Sequence, residues 1–318
     1  MRTLAKSILG SLLGWLARLS PRRVGVALLY HGVADDGRRR ADVLVPAMPP
    51  ALFASQLALL THHYRLVSAS ALLAAIAARR IGGRIPVAIT FDDDDHTHPT
   101  TAARLLRDAG APATFFVNAE SLDKPRPLWW QQLQRAWDER KIDGGLLELT
   151  GLPPEPGRHR LARIGSAITQ QRPEQRERVR EALRERVGND PALAGLSREQ
   201  LRSLADDGFE LGCHTQRHDF LPLLTPAELE ASVKSGSDEI GEVAGRPPTA
   251  FAYPSGGWDD TARTAVERAG FGAAFTARGG VIRADSDPLA LPRISPPTGN
   301  VAELSYVLGR TLWESGSG

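Results

Sequence analysis

Four consecutive aspartates, Asp92 to Asp95, stand directly after the apolar run Pro86-Val-Ala-Ile-Thr-Phe91. Two histidines spaced by four, His214 and His218, follow a second run, Phe209-Glu-Leu-Gly-Cys213, and the turn Pro254 to Gly257 follows a third. Two imidazoles and a carboxylate are a common ligand set for catalytic zinc, one that leaves an open position for water. Such an ion lowers the pKa of its water towards about 7, and a second carboxylate nearby can take the proton. Adjacent aspartates can divide these duties, because consecutive side chains at a strand end point in different directions. Each element alone says little: an acidic run is ordinarily a solvated loop, and a His-x-x-x-His pair is ordinarily on the surface. Together, at strand ends of one α/β pattern, they read as a metal site. His31 and Arg293 lie beside two further strand ends.

The elements that must position these residues alternate strand and helix. Val24–Tyr30 reads as a buried strand ending at His31-Gly32, and Leu52 to Tyr64 and Ala69 to Arg80 have helical periodicity. A polar, proline-bearing loop covers 34–50. Pro99 suits the first turn of a helix reaching Asp108, Gly110 ends it, and Ala113-Thr-Phe-Phe-Val117 is the next strand. This is a βαβ unit, so the sheet is expected to be parallel, with an active site at the C-terminal strand ends. Residues 119–196 differ. Trp129, Trp130, Leu133 and Trp137 suggest an amphipathic helix whose tryptophans pack, Pro153, Pro154, Pro156 and Gly157 mark a loop, and Gln171 to Val187 is a helix rich in Arg and Glu. The segment reads as an insertion with too few apolar residues for a core of its own. Beyond it, Ser197 with Gln200 and Thr225 with Glu228 form capping boxes. Residues 249–253, Gly272 to Thr276 and Leu289 to Ile294 read as strands, with a helix over about 260–269.

At 318 residues the chain has the length of an α/β barrel, and 42% hydrophobic with 24% charged residues rules out disorder as a whole. A net charge of +2, with scattered arginines, gives no argument for a nucleic-acid partner. The single cysteine, Cys213, excludes an internal disulfide framework and reads as a buried small hydrophobe. The uncharged stretch between Lys6 and Arg18 is shorter than the roughly 20 apolar residues that span a bilayer. No small-x-small cleavage site follows it. Leu9, Leu12, Leu13, Leu16 and Leu19 fall at helical spacing, which fits either an interfacial helix or one packed on the domain; an uncleaved export signal ranks third.

Thr90-Phe-Asp-Asp93, followed by Ala113-Thr-Phe-Phe-Val117, resembles the first motif of the polysaccharide deacetylases (carbohydrate esterase family four). His214-Thr-Gln-Arg-His218 with Leu221 is similar to the second motif, Phe251-Ala-Tyr-Pro-Ser-Gly256 to the third, and Leu291-Pro-Arg-Ile294 sits where the last is expected. Leu28-Leu-Tyr-His-Gly32 is similar to an N-terminal segment of many members. The resemblance runs over about 24–297 and implies a distorted, incomplete (β/α) barrel with parallel strands and a helical insertion. It implies Asp92 as catalytic base, and Asp93, His214 and His218 as ligands of a divalent metal, zinc foremost. Tyr253, Pro254 and Ser255 would face substrate, the Ser255 amide meeting the oxyanion; Trp258 is read as part of a substrate wall only from its place after the glycine turn.

Three departures bear on this. Family members usually have Gly where this chain has Asp94; the arginine that often holds the base is here Ala252; and Arg293 stands where a histidine often protonates the leaving amine. Arginine cannot be that acid near neutral pH. Arg293 is therefore expected to pair with Asp92, leaving His31, or else His96 or His98, as the acid. The chain is divided into a leader over 1–23, the barrel over 24–300 and a tail over 301–318. It is read as a metal-dependent hydrolase that removes N-acetyl groups from a poly- or oligosaccharide, with lipid linkage open. Deacylation of another small amide and a non-catalytic saccharide-binding or scaffold role are the alternatives. Peripheral membrane contact through residues 1–20 and a cytoplasmic location at the inner membrane are expected, the periplasm second.

Overall fold

The computed structural model describes residues 2–35, 43–155 and 160–314. Part of the expected loop at 34–50, together with Pro156 and Gly157, falls outside them. Eight strands, β1 (Val24–Tyr30), β2 (Arg65–Val67), β3 (Pro86–Asp92), β4 (Thr114–Val117), β5 (Glu210–Cys213), β6 (Ala250–Ala252), β7 (Ala273–Phe275) and β8 (Ile282–Arg283), form one curled sheet. Its order is β7-β6-β5-β4-β3-β1-β8, with β2 paired to the first half of β3 and β4 to the second. All pairings are parallel except β1 with β8. β1 and β3 are buried throughout, in keeping with a parallel sheet covered on both faces. The α/β class and the incomplete barrel are as expected.

The run Leu289 to Ile294 is not a regular strand, because Pro292 lacks the N–H a ladder needs. It makes two isolated bridges instead. Leu291 N–H donates to Ala274 O at 2.8 Å on one sheet edge, and Ile294 N–H donates to Ala27 O at 2.9 Å near the other. This segment thereby seams the curled sheet and brings Arg293 between its edges.

Helices α1 (Arg2–Leu19), α2 (Pro50–His63), α3 (Leu72–Ala77), α4 (Ala103–Asp108), α5 (Trp129–Asp138), α6 (Gly144–Leu149), α7 (Leu161–Thr169), α8 (Pro173–Val187), α9 (Arg198–Asp206), α10 (Pro226–Ala244), α11 (Asp260–Arg268) and α12 (Val301–Glu314) surround the sheet. A single π turn over His98–Ala102 precedes α4. The Ser197–Gln200 and Thr225–Glu228 boxes cap α9 and α10. What was expected as a C-terminal tail is largely α12. It packs so tightly on α1 that a Cβ at Gly10 would lie 2.4 Å from the Ser305 carbonyl carbon, and one at Gly309 only 2.3 Å from Gly10 O. No helix among the described residues is long and apolar enough to cross a membrane.

The insertion departs from expectation. Trp130 and Leu133 of α5, Leu146 of α6, Ile164 of α7, and Val179 and Leu183 of α8 belong to a hydrophobic cluster of its own. Its composition concealed this, because α8 is strongly polar apart from a narrow buried stripe of Val179, Ala182, Leu183 and Val187.

Candidate metal centre and catalytic groove

β3 ends at Asp92, and the chain then turns through Asp93, whose φ of 72° lies in the left-handed region that aspartate tolerates better than most residues. The left-handed residue is Asp93, not the Asp94 that stands in the family's glycine position. This break in the strand sends the four carboxylates to four partners. Asp92 accepts from both terminal nitrogens of Arg293 at 2.6 Å each. Asp94 accepts from the Ser121 hydroxyl, and Asp95 accepts from the Thr97 backbone N–H at 2.9 Å. Asp93 faces the histidines.

Arg293 is 1% exposed and fully engaged. Its Nε donates to Thr276 O at 2.9 Å, one terminal nitrogen also reaches Thr90 Oγ1 at 3.2 Å, and the guanidinium lies over the Phe116 ring. Burial by itself would raise the Asp92 pKa, but Arg293 overrides it and holds the carboxyl down to about 2. Burial, followed by the neighbouring Asp92, Asp94 and Asp95, pushes Asp93 well up. Burial brings Asp94 up to about 7.

β5 delivers His214, and a turn with left-handed φ at Thr215 and His218 swings His218 to the same point. His214 Nδ1–H donates to Ala252 O at 2.7 Å, which leaves Nε2 as the unprotonated nitrogen facing the carboxylates. His214 Nε2 lies 3.6 Å and His218 Nε2 3.5 Å from Asp93 Oδ1. One ligand atom from each residue falls within 4.8 Å of the others. Asp93 Oδ1 is buried and has no hydrogen-bond partner. Burial lowers the pKa of both imidazoles, which keeps their nitrogens available as ligands near neutral pH. An orphaned carboxylate oxygen and two aimed imidazoles fit a divalent cation.

The centre opens into a groove of about 380 Å³ whose walls include His31, Trp130, Leu44, Val45, Ser255 and Thr169. Ser255 has a φ of 53° at the turn after β6. Tyr253 and Trp258, expected to face substrate, are placed elsewhere. The Tyr253 hydroxyl donates to Leu289 O at 2.9 Å, and Trp258 packs on the Tyr253 ring. Pro254 is buried at the start of the turn. His31 is half-buried on the groove wall; burial lowers its pKa, and nearby Asp92 pulls it back up. His98 is enclosed by Phe91 and Phe115, with Nε2 3.3 Å from His31 O, and so supports the His31 backbone instead of meeting substrate. His96 sits beside Asp95, outside the groove lining.

Sequence reasoning missed two contributors from the insertion. The Trp130 ring lies tilted against His218, centroids 4.7 Å apart, and also lines the groove, so packing and site wall are one role. Buried Arg176 donates to His218 O at 3.1 Å and pairs with Asp219, fixing the turn that carries the second histidine. Nothing in its arginine-rich neighbourhood distinguishes Arg176 beyond its place on the apolar stripe of α8.

The polysaccharide deacetylase family model matches residues 80–145 and 160–274, a span holding Asp92, Asp93, His214, His218 and Ser255 but not His31 or Arg293. No curated protein matches the sequence. Among solved structures, the chain is similar to the Streptococcus pyogenes deacetylase PplD in complex with acetate, at 19% identity and a TM-score of 0.62, covering 92% of this chain and 99% of that one. IcaB from Ammonifex degensii is similar at 20% identity and a TM-score of 0.59, covering 90% and 97%. BC0361, a polysaccharide deacetylase from Bacillus cereus, is similar at 18% identity and a TM-score of 0.60, covering 91% and 69%. These likenesses establish the fold. With the family model matched over more than half its length, the chain belongs to the polysaccharide deacetylases, hydrolases of the C–N bond of N-acetyl groups on carbohydrate.

Proposed function

We propose that this chain deacetylates an N-acetylated poly- or oligosaccharide, with Asp93, His214 and His218 holding a divalent cation, Asp92 as base and His31 as acid. The observation that carries the reading is Asp93 Oδ1, buried, without a hydrogen-bond partner and shared at 3.5–3.6 Å by two imidazole nitrogens. A cation bound there supplies Lewis acidity and lowers the pKa of a coordinated water. Zinc suits the two-nitrogen, one-oxygen donor set.

Asp92 stays ionised across the neutral range because Arg293 grips both its oxygens, and each oxygen keeps a further lone pair for the proton of an attacking water. The amide carbonyl carbon gains the water oxygen, and the charge developing on the carbonyl oxygen is met by the Ser255 backbone N–H at the groove wall. Breaking the C–N bond needs a proton on the leaving nitrogen. Arg293 cannot give one, so His31, which also lines the groove and acts in its protonated form, supplies it. Acetate and a free amine on the sugar are the products.

Acetate release from N-acetylglucosamine oligomers, read together with cation content by mass spectrometry, tests this. Asp92→Asn is expected to keep the cation and lose at least about 10³-fold in kcat, while His218→Ala loses the cation. A wild-type protein that binds the cation and releases acetate from no N-acetylated saccharide would support the scaffold role and overturn the reading, as would Asp92→Asn turning over at the wild-type rate. His31→Ala with unchanged turnover and pH profile removes His31 from the acid role.

A further inference from the structure

Nearly all the strongly exposed large apolar side chains among the described residues gather on one face. Ile8, Leu12, Trp15 and Leu19 recur along α1 at helical spacing, Ile81 lies beside its C-terminal end and Trp313 beside it on α12; these six are 45–66% exposed. Leu9 flanks the stripe, and Leu149 alone lies away from it. Hydrogen bonds fix the grouping: Gly82 N–H donates to Arg18 O at 2.9 Å, Arg18 donates back to Gly82 O at 3.0 Å, and Arg22 donates to Trp313 O at 3.3 Å. The opposite side of α1 is sealed to α12 through Gly10 and Gly309, so the exposed stripe is not a poorly packed core face.

The charge around the stripe is mostly positive; the acidic residues of α12 beside it, Glu303 and Glu314, are paired with Lys6 and Arg310. Residues 1–34 and 43–91 contain nine lysines and arginines and no aspartate or glutamate. Lys6 is met by Glu303 of α12, but Arg18, Arg80 and Arg84 face no carboxylate among the described residues. A long helix with an aromatic and aliphatic face rimmed by uncompensated arginines has the features of an interfacial helix.

We infer that this face docks onto an anionic lipid surface, with Ile8, Leu12, Trp15 and Leu19 entering the headgroup region and Arg18, Arg80 and Arg84 meeting lipid phosphates. Two copies of the chain joined face to face would bring the same arginines together, a repulsion that a phosphate surface turns into attraction. The inference is independent of the catalytic reading, since no residue of α1 lines the groove.

The full chain, co-sedimented with phosphatidylcholine vesicles containing about one third phosphatidylglycerol and with pure phosphatidylcholine vesicles, tests it. Binding is expected to be at least about tenfold stronger on the anionic vesicles and to weaken at high salt. Leu12→Ser/Trp15→Ser is expected to weaken it at least about tenfold, and Arg80→Glu/Arg84→Glu by a similar factor, with circular dichroism unchanged in both. Acetate release from a soluble saccharide, read in parallel, is expected to match wild type. No binding to the anionic vesicles, or binding indifferent to both variants, overturns the inference. So does a stable dimer in light scattering that Leu12→Ser/Trp15→Ser converts to monomer, which would make a second copy the occupant. The sedimentation outcome is decided whether or not acetate is released.

Discussion

The fork of Arg293 aims Asp92 as well as charging it, because two parallel bonds of 2.6 Å fix the carboxylate plane. Lysine would keep the charge and lose the fork. Arg293→Lys is therefore expected to lower kcat about 10- to 100-fold while cation content stays near wild type, in the same paired acetate and metal assay. A variant that loses the cation as well would show that Arg293 holds the site open structurally. Asp94 depends on a different neighbour. A Cβ built on Gly195 would lie 2.1 Å from Asp94 Oδ2, so the insertion yields its smallest residue where the barrel carries a carboxylate. Gly195→Ala is expected to destabilise the fold by about 1–3 kcal/mol, read from the urea midpoint, and Gly195→Ala/Asp94→Gly to recover most of it. The sequence exposed Asp94 as a departure but gave no sign of Gly195, because the two are joined only across the fold.

The loop after β1 is braced at the scale of elements. His98, from the π turn before α4, holds the His31 carbonyl from within a cage of Phe91 of β3 and Phe115 of β4. Burial lowers its pKa to about 4, from an ordinary value of 6.5. The sign follows from linkage: below pH 6.5 the unfolded chain takes up a proton that the folded chain refuses, so stability falls as pH drops from 6.5 towards about 4 and this loss then levels off. His98→Gln keeps a donor for His31 O and removes the titration. Its urea midpoint is expected to be flatter than that of wild type across that window, by an amount corresponding to at most about 3 kcal/mol. Parallel curves for the two proteins would mean that His98 does not titrate in its cage. The same region shows where local pattern stopped informing. A helix beginning at Pro99 is readable from the sequence, whereas the inward turn of His98 depends on which aromatic rings happen to surround it.

Across the whole molecule, the centre joins residues from β3 and from the turn after β5, and the second histidine is steadied by Arg176 from the insertion. A cation held between them binds the folded chain alone. Zinc at about 100 times its dissociation constant should add roughly 2.7 kcal/mol of stability, a rise in Tm that chelation reverses and that His218→Ala abolishes. A Tm indifferent to both metal and chelator would argue that the three side chains hold no ion. The sequence by itself determined the parallel α/β order and the aspartates and histidines at strand ends. Those follow from local periodicity and from residue types placed a few positions apart. On the first helix the sequence pointed to Leu9, Leu12, Leu13, Leu16 and Leu19, whereas the exposed stripe is Ile8, Leu12, Trp15 and Leu19, with Leu13 and Leu16 half-buried. Tertiary structure decided the rest: which partner each aspartate meets, the closure of the curled sheet by Leu289 to Ile294, the insertion's separate core, and the withdrawal of Tyr253 and Trp258 from the groove. These depend on contacts between residues far apart in the chain, where burial and close packing select among arrangements that local pattern leaves equal in energy.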